Sequence, residues 1–311
     1  MIPRHSFHIF TNKFSLVYKI LLFATITTIV FTAIVISSLS SIIKPITSSI
    51  IDLEFFPHLL DAIRSMFAGE PEVQAVAFQQ LHTDWLVLGD IFTSNEASII
   101  IAIVTFIVIF IIYKVIIDFT ALPSSDVINS FMNSNSKFGL VSNCVVNGKK
   151  SLIYSLVSNL VYVIYFLLVG ALIYGLSVLA FRFSAIFGLI FVFLSLVFFI
   201  SLYRAITSYI IPIYINEKLN IFRAIAKAFK LGFRNILPNL GIYFVINFIV
   251  FTFLPIIIIS TFGVGLVVLI AVVQVYSSII DMVIYYRTTG LRYYTDNNVI
   301  VDPNTIIGNK L

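Results

Sequence analysis

The sequence predicts an all-α polytopic integral membrane protein: six transmembrane helices in three hairpins, with interfacial amphipathic helices between them. Three observations lead there. No Asp, Glu, Lys, Arg or His occurs in the 46 positions from Asn235 to Ile280. As one helix that run would reach roughly 70 Å, more than twice the ~30 Å hydrocarbon core of a bilayer, so it has to fold back. Of the 311 residues, 60% are apolar and only 11% charged, with a mean hydropathy of +1.07. That leaves too little polar surface to solvate a soluble protein of this size. Finally, basic residues are unevenly shared between alternate polar segments, as membrane insertion requires.

Taken in order, residues 1–19 mix Arg4, Lys13 and Lys19 with Phe7, Ile9, Phe10, Phe14 and Leu16, the pattern of a segment lying on a membrane. Residues 20–43 form the first span, too long for the apolar core of a cleavable signal peptide. Residues 44–96 carry eight acidic residues against Lys44 and Arg64 and read as an acidic extracytoplasmic loop. Two short helices are expected in it, from Phe55, Leu59, Leu60, Ile63 and Phe67 and from Val73, Val76, Ala77 and Leu81, with Trp85 as an interface anchor. The second span is 97–117, with Lys114 snorkelling to the headgroups. A polar connection follows over 118–150, loosest through Ser124, Ser125, Asn129, Ser130, Asn133, Ser134, Asn135 and Ser136. Spans three and four are 152–175 and 184–203, and Pro212 predicts a helix break near Ile210. Spans five and six are 237–259 and 264–286, turning at Ser260–Gly265. A short polar tail ends the chain.

Residues 219–235 predict an amphipathic helix. Arg223, Lys227, Lys230 and Arg234 are four, three and four apart and share one face, with Ile221, Ile225, Phe229, Gly232 and Phe233 on the opposite side. A basic face over an apolar one suits anionic headgroups at the cytoplasmic surface. With six spans, the segments on one side hold 16 basic residues and those on the other 3. Both termini are therefore expected in the cytoplasm, in a multi-pass protein of the cell membrane.

Within the spans, Asn159, Asn247, Gln274 and Asp281 are the polar residues that a cluster would use. Asp281 shares a helix face with Gln274, two turns away. If deep, it needs a partner, with Arg204, Arg234 or Arg287 as candidates. Glu217 is expected to pair with Arg223 or Lys218. A glycine, basic, polar, apolar pattern at Gly148–Ile153 returns at Gly232–Leu237, which a duplicated helix-plus-hairpin unit or two cytoplasmic membrane boundaries would equally give.

Cofactors and metals are not expected. His5, His8, His58 and His82 form no metal-binding pair, Cys144 is single, and HExxH, GxSxG, GxxxxGK[ST] and GxGxxG are all missing from the sequence. The pI near 9.2 is explained by lipid-facing basic residues, so no nucleic-acid partner is expected.

The run Ile211–Glu217, followed by Ala224, Ala228, Phe229, Gly232 and Asn235 before a new span, resembles a pattern in small polytopic bacterial membrane proteins. Among these are the membrane domain beside some glycerophosphodiester phosphodiesterases and related uncharacterised six-helix families. The resemblance covers residues 139–286, implies a six-helix membrane domain and carries over no catalytic residue. A looser likeness to importer permeases fails: here Gly232 and Pro238 are six apart and the Glu-Ala-Ala start is missing.

The expected function is that of a non-enzymatic integral membrane protein in envelope maintenance, or a scaffold or assembly factor, meeting membrane lipid and a membrane-protein partner or a second copy of itself. A transporter or channel would bring Asn159, Asn247, Gln274 and Asp281 to one cavity. A lipid-acting membrane enzyme would group polar side chains at one headgroup level.

Overall fold

A computed structural model of the chain describes residues 2–68, 71–134, 139–261, 263–296 and 299–303. Among these residues twelve helices form: α1 (Ile2–Asn12), α2 (Ser15–Asp52), α3 (Phe55–Ala68), α4 (Pro71–Ser94), α5 (Glu96–Asp118), α6 (Ala121–Ser134), α7 (Leu140–Phe183), α8 (Ala185–Thr207), α9 (Ile210–Asn216), α10 (Ile221–Arg234), α11 (Ile236–Ser260) and α12 (Val264–Thr289). Strands β1 (Tyr293–Asp296) and β2 (Val299–Val301) follow as an antiparallel pair. Among the described residues six segments are long and apolar enough to cross a membrane, one each in α2, α7, α11 and α12, one through α5 and α6, and one through α8 and α9. The chain is therefore an all-α, multi-pass membrane protein. Its contacts divide into two units, Met1–Thr27 with Lys114–Leu311, and Thr28–Tyr113.

The larger unit is built around α12. Of its most apolar window 56% is buried inside the protein, against 22% or less for the other five spans. Every residue from Ser277 to Tyr286 is buried, because α1, α6, α9 and α11 all pack against this helix. The other spans are covered differently. α8 lies against α7 and α11, while residues such as Leu167, Leu168, Val245 and Ile256 stay uncovered, as lipid-facing positions must.

The predicted turn between spans five and six is present, and Pro255 does not end α11. Gly263 adopts φ +86°, a left-handed conformation that a side chain would strain, and the Thr261 hydroxyl accepts from the Gly265 amide at 2.8 Å. Phe262 lies outside the described residues. The break before Pro212 also forms. α8 stops at Thr207, and α9 restarts at Ile210 with Pro212 in its first turn, where the missing N–H is tolerated.

Several expectations are corrected. α2 and α7 run well past their predicted spans, to Asp52 and from Leu140 to Phe183. The polar connection at 118–150 is mostly helix. Leu122, Val127, Ile128, Phe131 and Met132 give α6 a buried face against α7 and α12, and its Ser and Asn side chains are absorbed by bonds such as Ser124 Oγ to the Ala121 carbonyl at 2.9 Å. Asn135 and Ser136 lie outside the described residues. Gly148 sits inside the unbroken α7, whereas Gly232 sits near the end of α10, so the two echoing motifs occupy different structures. The described part of the tail is structured. Gly290, at φ +71°, caps α12, and β1 packs on α1 and α6 through the buried Tyr293.

In the smaller unit, α3 packs on α4. α4 is a 24-residue helix rather than a short one. Val73 and Val76 of the predicted stripe are exposed, and the inward positions run Ala77, Leu81, Asp84 and Leu88. The buried Asp84 carboxylate accepts from His58 Nδ1 at 2.7 Å and from Gln80 at 3.3 Å. Trp85 is exposed, as an interface anchor would be. Side chains of Phe55, Ile63 and Phe67 lie outside the described set. The Thr28 and Tyr113 hydroxyls join α2 to α5 at 3.0 Å.

Candidate functional site

The sequence singles out four polar residues in the spans, and the structure gives each a different partner. Asp281 accepts a hydrogen bond from the Tyr243 hydroxyl of α11, both groups being buried. Arg204, in the last turn of α8, interacts electrostatically with the same carboxylate. Of the three basic partners considered for Asp281, Arg204 is the one in place. Asn159 of α7 donates to Asp118 Oδ2 at 3.1 Å and to the Ser155 carbonyl at 2.8 Å. Asn247 of α11 donates to the Ser201 hydroxyl of α8 at 3.0 Å. Gln274 of α12 donates to the Thr120 hydroxyl, just before α6, at 2.8 Å.

Two of these pairs belong to a wider polar layer. Lys114 does not simply snorkel: its Nζ lies 2.6 Å from Asp118 Oδ2 and 4.5 Å from the centre of the Tyr162 ring. Asp118 and Arg204 both act electrostatically on Tyr154 and Tyr203, so the layer continues from Lys114 and Asp118 through the tyrosines to Arg204, Tyr243 and Asp281. Two cations and two carboxylates balance. An unpaired charge here would be expensive in an apolar surround; Lys114 and Asp118 meet directly, and Arg204 acts on Asp281 through its field. The tyrosines went unread in the sequence, though Tyr154, Tyr162 and Tyr165 recur at helical spacing on α7, with Ser158 between them, and give a usable signal. Further pairs tie α7 to the end of α5: the hydroxyls of Ser151 and Ser155 donate to the carbonyls of Phe119 and Val115. Among the described residues the buried amide oxygens of Asn159 and Gln274 have no hydrogen-bond partner.

The second feature is α10. Its four basic residues, Arg223, Lys227, Lys230 and Arg234, are all exposed. The apolar side read from the sequence divides into two, and Phe222, which that reading did not include, joins its exposed part. Ile221, Ala224, Ala228 and Gly232 are buried against the protein, while Phe222 and Phe233 are 67% and 58% exposed. Small side chains let the helix lie close on α8: a Cβ on Gly232 would fall 2.4 Å from the Ile206 carbonyl oxygen. The exposed phenylalanines lie beside the basic face, which suits a helix at the boundary between acyl chains and headgroups. Glu217 pairs with neither Arg223 nor Lys218. It takes Lys227 at 2.5 Å and the Tyr285 hydroxyl at 3.3 Å, fastening α10 to α12.

At the far end of α12, His5 Nδ1 meets the Tyr293 hydroxyl at 2.8 Å. Burial, with Arg287 adding to it, pushes the His5 pKa below 6.5. Burial also pushes Tyr293 up to about 12. Among the described residues no group of three or more His, Cys, Asp or Glu side chains is placed to hold a metal ion. These features define a multi-pass membrane protein with a self-neutralised polar layer and a basic surface helix. No protein-family model, curated protein or solved structure matches the chain.

Proposed function

We propose that the chain is a non-enzymatic integral membrane protein that serves as a scaffold or assembly factor in the cell membrane, with both termini and α10 on the cytoplasmic side. The observation that carries this reading is the contrast between α12 and α10. Asn247, Gln274 and Asp281 each bond to a partner within the bundle, while Arg223, Lys230 and Arg234 of α10 are exposed and Lys227 is held by Glu217. The sidedness rests on the sharing of basic residues between alternate segments, 16 against 3. Separate partners for Asn159, Asn247, Gln274 and Asp281 weigh against a shared transport cavity.

Purification of the intact protein in mild detergent, with identification of what accompanies it, tests this reading. A defined membrane-protein partner or a second copy should co-purify, and Arg223→Gln with Lys230→Gln and Arg234→Gln should lower its recovery severalfold. A purified protein with no protein companion that moves a solute across vesicle membranes would overturn it. A second reading, a lipid-acting enzyme, is favoured by one observation: Asp118, Tyr154, Arg204 and Asp281 interact within one polar layer. Lipid turnover by the purified protein that disappears in Asp281→Asn would establish it.

A further inference from the structure

Apart from the polar layer, a groove of about 670 Å³ runs between α11 and α12, with Pro3 of α1 also lining it. Its walls are apolar except for Tyr276 and Ser277. These two lie toward α1, where the Tyr276 ring packs edge-on against Phe10 at 5.6 Å. Gly241 of α11 faces open space in the groove: a Cβ built there meets nothing within 4 Å. Along α11 the lining runs from Leu237 to Val250, about 20 Å at helical rise, against the ~15 Å depth of one leaflet. An apolar groove of that length suits an extended hydrocarbon chain entering from one end.

The charge at the α1 end selects among amphiphiles. Arg4 follows the lining residue Pro3, and Arg234 ends α10 three residues before the lining residue Leu237, across the break at Asn235; both are exposed. Cations at the polar end and hydroxyls just inside it complement a phosphate and an ester above an acyl chain. The geometry points to a binding site for one anionic phospholipid, its acyl chain in the α11–α12 groove and its headgroup between Arg4 and Arg234. This inference rests on the membrane reading but not on the scaffold role, since loss of every protein partner would leave the lipid site unchanged.

The test uses the full chain in bilayer discs containing phosphatidylglycerol with a photoreactive group on its acyl chain, compared with phosphatidylcholine carrying the same chain. Crosslinks should concentrate on residues 241–250 and 269–277, severalfold more with phosphatidylglycerol. Gly241→Phe, which fills the groove, should remove most of this labelling. Arg4→Gln with Arg234→Gln should reduce phosphatidylglycerol labelling to the phosphatidylcholine level while leaving its position unchanged. Labelling spread evenly over α7, α8 and α11, or equal for the two lipids in the unaltered protein, would overturn the proposal. The map from the unaltered protein decides this even if a variant does not fold.

Discussion

At the scale of single residues, the buried pairing of Asp281 dominates. Removing one member of such a set strands a charge, so Asp281→Ala should destabilise the protein by about 3–5 kcal/mol. Tyr243→Phe removes one bond to a carboxylate and should cost about 1.5–3 kcal/mol. Thermal unfolding in detergent measures both, and a double-mutant cycle should return a coupling of about 1–3 kcal/mol because the groups touch. Additive effects would mean that the bond contributes nothing. His5 yields a pH dependence. Its folded-state pKa is depressed below 6.5, so the unfolded chain takes up the proton first. The stability contributed by neutral His5 is thus complete above pH 6.5 and declines as pH falls toward the depressed folded value. Hydrogen exchange in α1 and β1 should quicken over that window, and His5→Gln should flatten the response. An equal acid response in the variant would assign it to another group.

At the scale of elements, the close approach of α10 to α8 depends on Gly232. Gly232→Ala places a methyl against the Ile206 backbone, so α10 has to lift away, at a cost of about 1–3 kcal/mol. Limited proteolysis should then cut in α10 at lower protease than in the unaltered protein, and an unchanged digestion pattern would show that the approach can relax freely. This same helix shows what could and could not be read in advance. The 3.6-residue period placed the four basic residues on one exposed face. Periodicity does not say which apolar residues meet protein and which meet lipid, so the division between Ala224, Ala228 and Gly232 on one hand and Phe222 and Phe233 on the other emerged only from packing. α6 was misread for a related reason. Its Ser and Asn residues favour turns when alone, but Leu122, Ile128, Phe131 and Met132 have a core to enter, and that burial outweighs local preference. Tyr243 as the partner of Asp281 was not legible at all, because two residues 38 positions apart are joined only by the way α11 and α12 fold back on each other.

At the scale of the whole molecule, the six spans were legible because the bilayer fixes their length and excludes charge, leaving long uncharged runs that nothing else explains. The long extensions of α2 and α7 were not, since beyond the hydrocarbon a helix continues or stops according to packing. The proposed orientation rests on charge alone, and it is the claim on which the scaffold reading and the placing of α10 depend. Cysteine accessibility tests it most directly. In a Cys144→Ser background, Arg4→Cys, Glu72→Cys and Lys230→Cys would each be exposed in intact cells to a maleimide that cannot cross membranes. Labelling of Glu72→Cys alone, with Arg4→Cys and Lys230→Cys reacting only after the membrane is opened, is the predicted result; labelling of Lys230→Cys or Arg4→Cys in intact cells would contradict it.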